Sequence, residues 1–180
     1  MAKVLIIYSS KYGSTKKYAE WIAKELNGSI LDINNIDKNS LSENDIIILG
    51  ISLYPEKIKG INFLEKYNEL MKNKRLIIFS CGMANFNNPK NVESVNKRLG
   101  KVIPKEIFEK IRIFCLRGSI DYKKMNFKDR VLMGLMKKSI SKKKTNELNE
   151  EDKLLLETYG NKADFMDKNN IKDLIEYCKM

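Results

Sequence analysis

Apolar residues follow two rhythms along this chain. Short, almost uniformly apolar runs, Val4 to Tyr8, Asp45 to Gly50, Arg75 to Ser80 and Ile111 to Leu116, with a weaker one at Ser29 to Ile33, are bounded by polar or turn residues. Runs of this kind predict strands buried on both faces, as parallel sheets require. Between them the spacing changes to that of helices. Tyr18, Ala19, Ile22, Ala23 and Leu26 mark one face of a helix that starts near Ser14 and ends at an Asn27-Gly28 cap. A second helix is predicted from about Ile61 to Met71, with Phe63, Leu64, Tyr67 and Leu70 inward, and a third from Asn91 to Leu99. Pro104 opens a short further piece, and a last helix, Asn170 to Tyr177, buries Ile171, Leu174 and Ile175.

Alternating strands and helices with a leading strand predict an α/β fold, a three-layer α-β-α sandwich. Its five-stranded parallel sheet is expected in the order 2-1-3-4-5, with right-handed crossovers and ligands at the carboxyl ends of the strands. The 180 residues fit a single domain, 1–180. Residues 119–167, after the fifth strand, exceed the minimal fold. They hold an apolar-basic stretch from Met125 to Lys138, a lysine cluster and a largely acidic, polar piece. A structureless loop of that length would be unusual, so the segment reads as a basic insertion with its own helix.

Composition narrows the chemistry. The chain has no histidine, which removes Ser-His-Asp and Cys-His nucleophilic catalysis, HExxH metalloproteases and most catalytic zinc or iron sites. Chemistry, if any, then falls to a bound cofactor. Cys81, Cys115 and Cys178 are odd in number and lack CxxC spacing, which argues against a disulfide framework or a metal site and points to a reducing cytoplasm. The first residues lack the cleavage site of a signal peptide, and Val4 to Ile7 is too short to span a membrane. A net charge of +11 fits an anionic partner, but also a lysine-rich composition with no special partner.

The turn Ser9-Ser10-Lys11-Tyr12-Gly13-Ser14-Thr15, between the first strand and first helix, carries the most chemistry. Unpaired N–H groups and the positive end of a helix dipole make an anion site, which the hydroxyls of Ser10, Ser14 and Thr15 can complete. Neither GxxxxGK[ST] nor GxGxxG is present, so the turn suits a monophosphate held by neutral donors. The alternative is that Ser14 or Thr15 only caps the helix. Two further loops, Gly50 to Pro55 and Ser80 to Phe86, end the third and fourth strands and would flank the first across the switch point. A planar ring attached to the phosphate would lie between them, with Tyr54 able to stack on it and backbone groups of Ser80 to Asn85 able to meet its polar edge. Cys81 reads as a small buried residue.

With these loops, SSKYGST after VLIIY and GISLY after DIIILG, the chain resembles the flavodoxins over most of its length. The resemblance implies FMN as cofactor. Ser10, Lys11, Tyr12, Gly13, Ser14 and Thr15 would surround its phosphate, Ser52, Leu53 and Tyr54 would line one side of the flavin, and Cys81, Gly82 and Met83 the other. The third loop departs from the acidic and aromatic residues typical of small electron-carrying flavodoxins, and so does not say what covers the second face. Gly118-Ser119-Ile120-Asp121-Tyr122, then Asp129-Arg130 and a Met- and Lys-rich helix, is similar to the menaquinone-dependent protoporphyrinogen oxidases within that group. That resemblance implies electrons passing from a porphyrinogen through FMN to a quinone.

Residues 123–144 carry nine Lys or Arg against one acid, Asp129, a local balance of +8. Phe127, Val131, Leu132, Leu135 and Met136 fall mostly on one helical face. Basic residues around an apolar stripe fit a peripheral helix on an anionic membrane, at the inner face of the cell. They equally fit a stripe packed on the sheet with solvated lysines. No nucleic-acid motif accompanies the charge, so no nucleic-acid partner is expected. Three functions follow: an FMN oxidoreductase acting on a quinone or porphyrinogen, a soluble carrier between redox partner proteins, and a binding domain that has lost flavin.

Overall fold

The computed structural model describes residues 2–55 and 57–180. Five strands, β1 (Val4–Tyr8), β2 (Ser29–Asp32), β3 (Ile46–Leu53), β5 (Arg75–Gly82) and β6 (Arg112–Arg117), form a parallel sheet in the order β2-β1-β3-β5-β6. These are the five runs read from the sequence, in the expected order. A sixth, two-residue strand, β4 (Ile58–Lys59), folds back antiparallel on the end of β3.

Side chains alternate across the sheet, and each set has its own cover. Leu5, Ile7, Ile47, Leu49, Ile51, Leu76 and Ile78 face one side, where Phe63, Leu64, Met71, Val95, Leu99 and Ile107 close over them. Those residues come from, in chain order, α3 (Asn62–Lys66), α4 (Asn68–Met71), α5 (Pro89–Gly100) and α6 (Lys105–Phe108). Ile6, Ile46, Ile48, Ile77 and Phe79 face the other side, under Tyr18, Ala19 and Ile22 of α1 (Ser14–Leu26) and Leu174 and Ile175 of α9 (Lys172–Lys179). A short helix, α2 (Lys38–Ser42), leads into β3 and buries Leu41.

One helix differs from its expected form. The segment from Ile61 to Met71 is not one helix but α3 and α4, broken at Tyr67, whose φ of −117° and ψ of 19° leave the helical region. The inward side chains keep their spacing across the break, which is why periodicity alone does not see it. α1 ends at the expected Asn27-Gly28 cap, with Asn27 left-handed at φ 49°.

Beyond β6 the chain leaves the sheet. Strand β7 (Ser119–Asp121) pairs antiparallel with β8 (Lys162–Asp164), so the excursion between them is closed at its base. It contains α7 (Phe127–Ile140) and α8 (Glu150–Thr158), which pack on each other. Asn126 and Asn149 cap their N-termini with side-chain oxygens.

Candidate functional site

Strand register brings the three loops to one end of the sheet. Tyr8 lies beside Gly50, Ser52 beside Cys81, and Gly82 beside Arg117. The chain after each of these positions therefore leaves from the carboxyl edge, β3 directly beside β1 and β5 and β6 beyond it. A cavity of about 780 Å³ opens there, at the large end of small-molecule sites.

Ser10, Lys11, Tyr12, Ser14, Thr15, Ser52, Leu53, Tyr54, Cys81, Gly82 and Met83 all line this cavity. Gly13 sits in the turn behind them as the residue before α1, with φ 99°, a left-handed conformation that suits glycine.

The turn is built as an anion site. α5, α7 and α8 each begin with an asparagine cap, but no side chain caps α1, and its first turn holds no acid. The reading in which Ser14 or Thr15 merely caps the helix is thereby set aside. The N–H donors at this terminus are left for a ligand. Ser10 Oγ accepts the Gly13 N–H at 3.0 Å and keeps its own proton for a ligand. Ser14 Oγ accepts the Ser119 N–H at 3.1 Å and lies 2.9 Å from Ser119 Oγ, linking the turn to β7.

Thr15 has a different task. Ser52 Oγ donates to the Ser9 carbonyl at 2.7 Å, so the 2.7 Å contact between Thr15 and Ser52 uses the threonine proton. Both residues are buried. In this arrangement Thr15 bolts the turn to β3 and has no proton left for a phosphate.

Tyr54 lines the wall beside the turn, its ring edge-on to Tyr12 with centroids 6.5 Å apart. Arg98 Nη2 holds this loop by donating to the Tyr54 carbonyl at 2.6 Å. Burial raises the Tyr54 phenol well above its usual range. Burial also pushes the Cys81 thiol up to about 12, so Cys81 is an inert, neutral wall residue, as the sequence reading has it.

The insertion supplies the remaining wall. Leu132, Met133 and Met136 of α7 and Leu154 and Leu155 of α8 line the same cavity. α7 is fastened to the turn: Asp129 accepts from Lys11 Nζ and Tyr12 Oη, at 2.5 Å each, and Tyr12 Oη accepts the Asn126 N–H at 3.3 Å. Burial works against the charge on Asp129, but the bonds from Lys11 and Tyr12 win and hold its carboxyl below the ordinary value. Burial likewise opposes, and Asp129 outweighs, so that Lys11 titrates above its usual value.

A family match decides what the site belongs to. The flavodoxin-domain family matches residues 5–147, from β1 through α7. The chain belongs to the flavodoxin family. This flavodoxin-like chain is 33% identical to an uncharacterized protein of Methanocaldococcus jannaschii over 123 residues, 67% of this chain and 78% of that one. It is 28% identical to a flavodoxin of Maridesulfovibrio salexigens over 98 residues, 48% of this chain and 67% of the other. A solved flavodoxin from the domain Archaea aligns over 99% of both chains, with 15% identity and a TM-score of 0.42.

FMN is the cofactor of flavodoxins, and the flavodoxin-like site fits it. The uncapped α1 terminus, with Ser10 and Ser14, would supply donors for the phosphate. Leu53, Tyr54, Met83 and Phe86 supply apolar and aromatic walls for a flat ring. Among residues the sequence did not single out as cavity-lining, Ser119 and Asp129 anchor the turn and Arg98 the second loop. Asp129 had two signals: it is the sole acid among nine basic residues in 123–144, and with Ser119 it belongs to the pattern that resembles the protoporphyrinogen oxidases.

Proposed function

We propose that this flavodoxin-like protein is an FMN-dependent oxidoreductase that takes electrons from a porphyrinogen and passes them to a quinone. The observation that carries this reading is the apolar wall that the insertion adds to the cavity. A protein that only hands electrons to partner proteins needs an exposed cofactor edge. Here α7 and α8 add an apolar wall of Leu132, Met136 and Leu155 facing the flavin loops. Such a wall suits a second, largely apolar reactant held next to the ring.

When bound, FMN supplies the chemistry, accepting electrons at its ring and releasing them again. The residues of the chain do the rest. The α1 terminus with Ser10 and Ser14 fixes the phosphate end. The Thr15–Ser52–Ser9 chain of hydrogen bonds holds the turn rigid against β3.

The test is anaerobic reduction of the FMN-loaded protein, followed by a menaquinone analogue, and separately protoporphyrinogen added to the oxidised protein. Turnover with both supports the reading. Turnover with neither, combined with rapid electron exchange with a protein acceptor, makes the chain a carrier.

A further inference from the structure

The outward face of α7 remains to be accounted for. Phe127, Val131 and Leu135 are 80%, 45% and 61% exposed. They follow one another at four-residue steps, which places them within about 80° of arc on a helix roughly 21 Å long. The sequence placed Leu132 and Met136 with them on one face, but the structure divides the set. Leu132 and Met136 are half-buried against the cavity, whereas Val131 and Leu135 stay exposed at its rim and Phe127 lies outside it.

Lysines frame this row. Lys128 and Lys138 lie on the same arc, Lys123 and Lys124 precede it and Lys142 and Lys144 follow, all exposed. Among the described residues none of these six forms an ion pair, whereas Lys137 sits over the Tyr159 ring and Lys143 bonds Asp152. The single acid of the stretch, Asp129, is turned away and held by Lys11 and Tyr12.

We infer that this face of α7 docks on the surface of an anionic lipid bilayer. Unpaired cations at and beyond both ends of the helix, roughly its whole length apart, match a charged plane rather than a point acid on a protein. Between them the row offers hydrocarbon and an aromatic ring with no hydrogen-bonding group, as an interfacial helix does. No helix among the described residues is long and apolar enough to cross a membrane, so the contact is peripheral. Val131 and Leu135 also line the cavity, so docking sets its rim against the lipid. The docking itself does not depend on the reaction proposed above.

The test is co-sedimentation of the full chain with vesicles of phosphatidylcholine alone and of phosphatidylcholine with phosphatidylglycerol, at two salt concentrations. Binding is expected on the anionic vesicles at least about tenfold above the neutral ones, falling with salt. Lys128→Glu with Lys138→Glu is expected to lower it about tenfold or more. Phe127→Ser with Leu135→Ser is expected to lower it comparably. All four positions are solvent-exposed, and unchanged unfolding midpoints show that the variants fold. Equal binding to both vesicle types, or variants that bind as the parent does, overturns the inference. So does a dimer in light scattering that the Phe127 and Leu135 variant dissociates, because the row is then covered by a second copy.

Discussion

Asp129 and Lys11 stand 118 residues apart in sequence, yet their charged groups meet at 2.5 Å, with Tyr12 Oη on the same carboxylate oxygen. The contact joins the first turn of α7 to the cofactor turn, so the position of the insertion and the shape of the site are set together.

This tie has a pH window. Asp129 titrates below its ordinary value in the folded protein, so its contribution is present above about pH 4 and is lost as pH falls further. Lys11 titrates above its ordinary value, so its contribution is present below about pH 10 and is lost as pH rises through the shifted value. Asp129→Asn is expected to remove about 1–2 kcal/mol of local stability, the charged component of a half-buried contact. Hydrogen exchange of residues 127–140 should quicken severalfold at pH 7, while the α1 amides stay protected. Equal exchange in the variant would place the fastening of α7 elsewhere.

Thr15 and Ser10 should fail in different ways. Ser52→Ala removes the middle of a buried chain and leaves Thr15 Oγ1 and the Ser9 carbonyl unpaired. A cost of about 1–3 kcal/mol in urea unfolding is expected, and Thr15→Val should cost a similar amount. Ser10→Ala should leave stability nearly unchanged and weaken FMN binding by about 1–2 kcal/mol, the loss of one hydroxyl to a charged phosphate.

Gly50→Ala tests the packing beneath the site. Gly50 pairs with Phe79 across the β3–β5 ladder, and an added Cβ would meet the Phe79 ring at 2.3 to 2.9 Å. Overpacking of about 1–3 kcal/mol is expected, read as a lowered thermal midpoint. Phe79→Leu in the same chain should recover part of it by making room.

The sheet was legible in the sequence because helices cover both of its faces, which leaves nearly unbroken apolar runs such as Ile46 to Leu49. The turn was legible because its chemistry is local, from Ser10 to Thr15. β4 escaped notice because two residues have no period to detect, and the break at Tyr67 because one dihedral change leaves the side-chain spacing intact. On α7, periodicity found the apolar arc but not which part of it faces inward, since that depends on α8 and on the distant loops. The tie from Asp129 to Lys11 and the bond between Thr15 and Ser52 are long-range, and no spacing encodes them.

The central claim is that the turn from Ser10 to Thr15 holds the phosphate of FMN. Its most direct test is a fluorescence titration of flavin-free protein with FMN and, in parallel, with riboflavin, which lacks the phosphate. The account predicts tight, saturable quenching of FMN fluorescence and binding of riboflavin weaker by about tenfold or more, since the donors at the α1 terminus lose their charged partner. Equal affinity for the two flavins, or binding of neither, would contradict it.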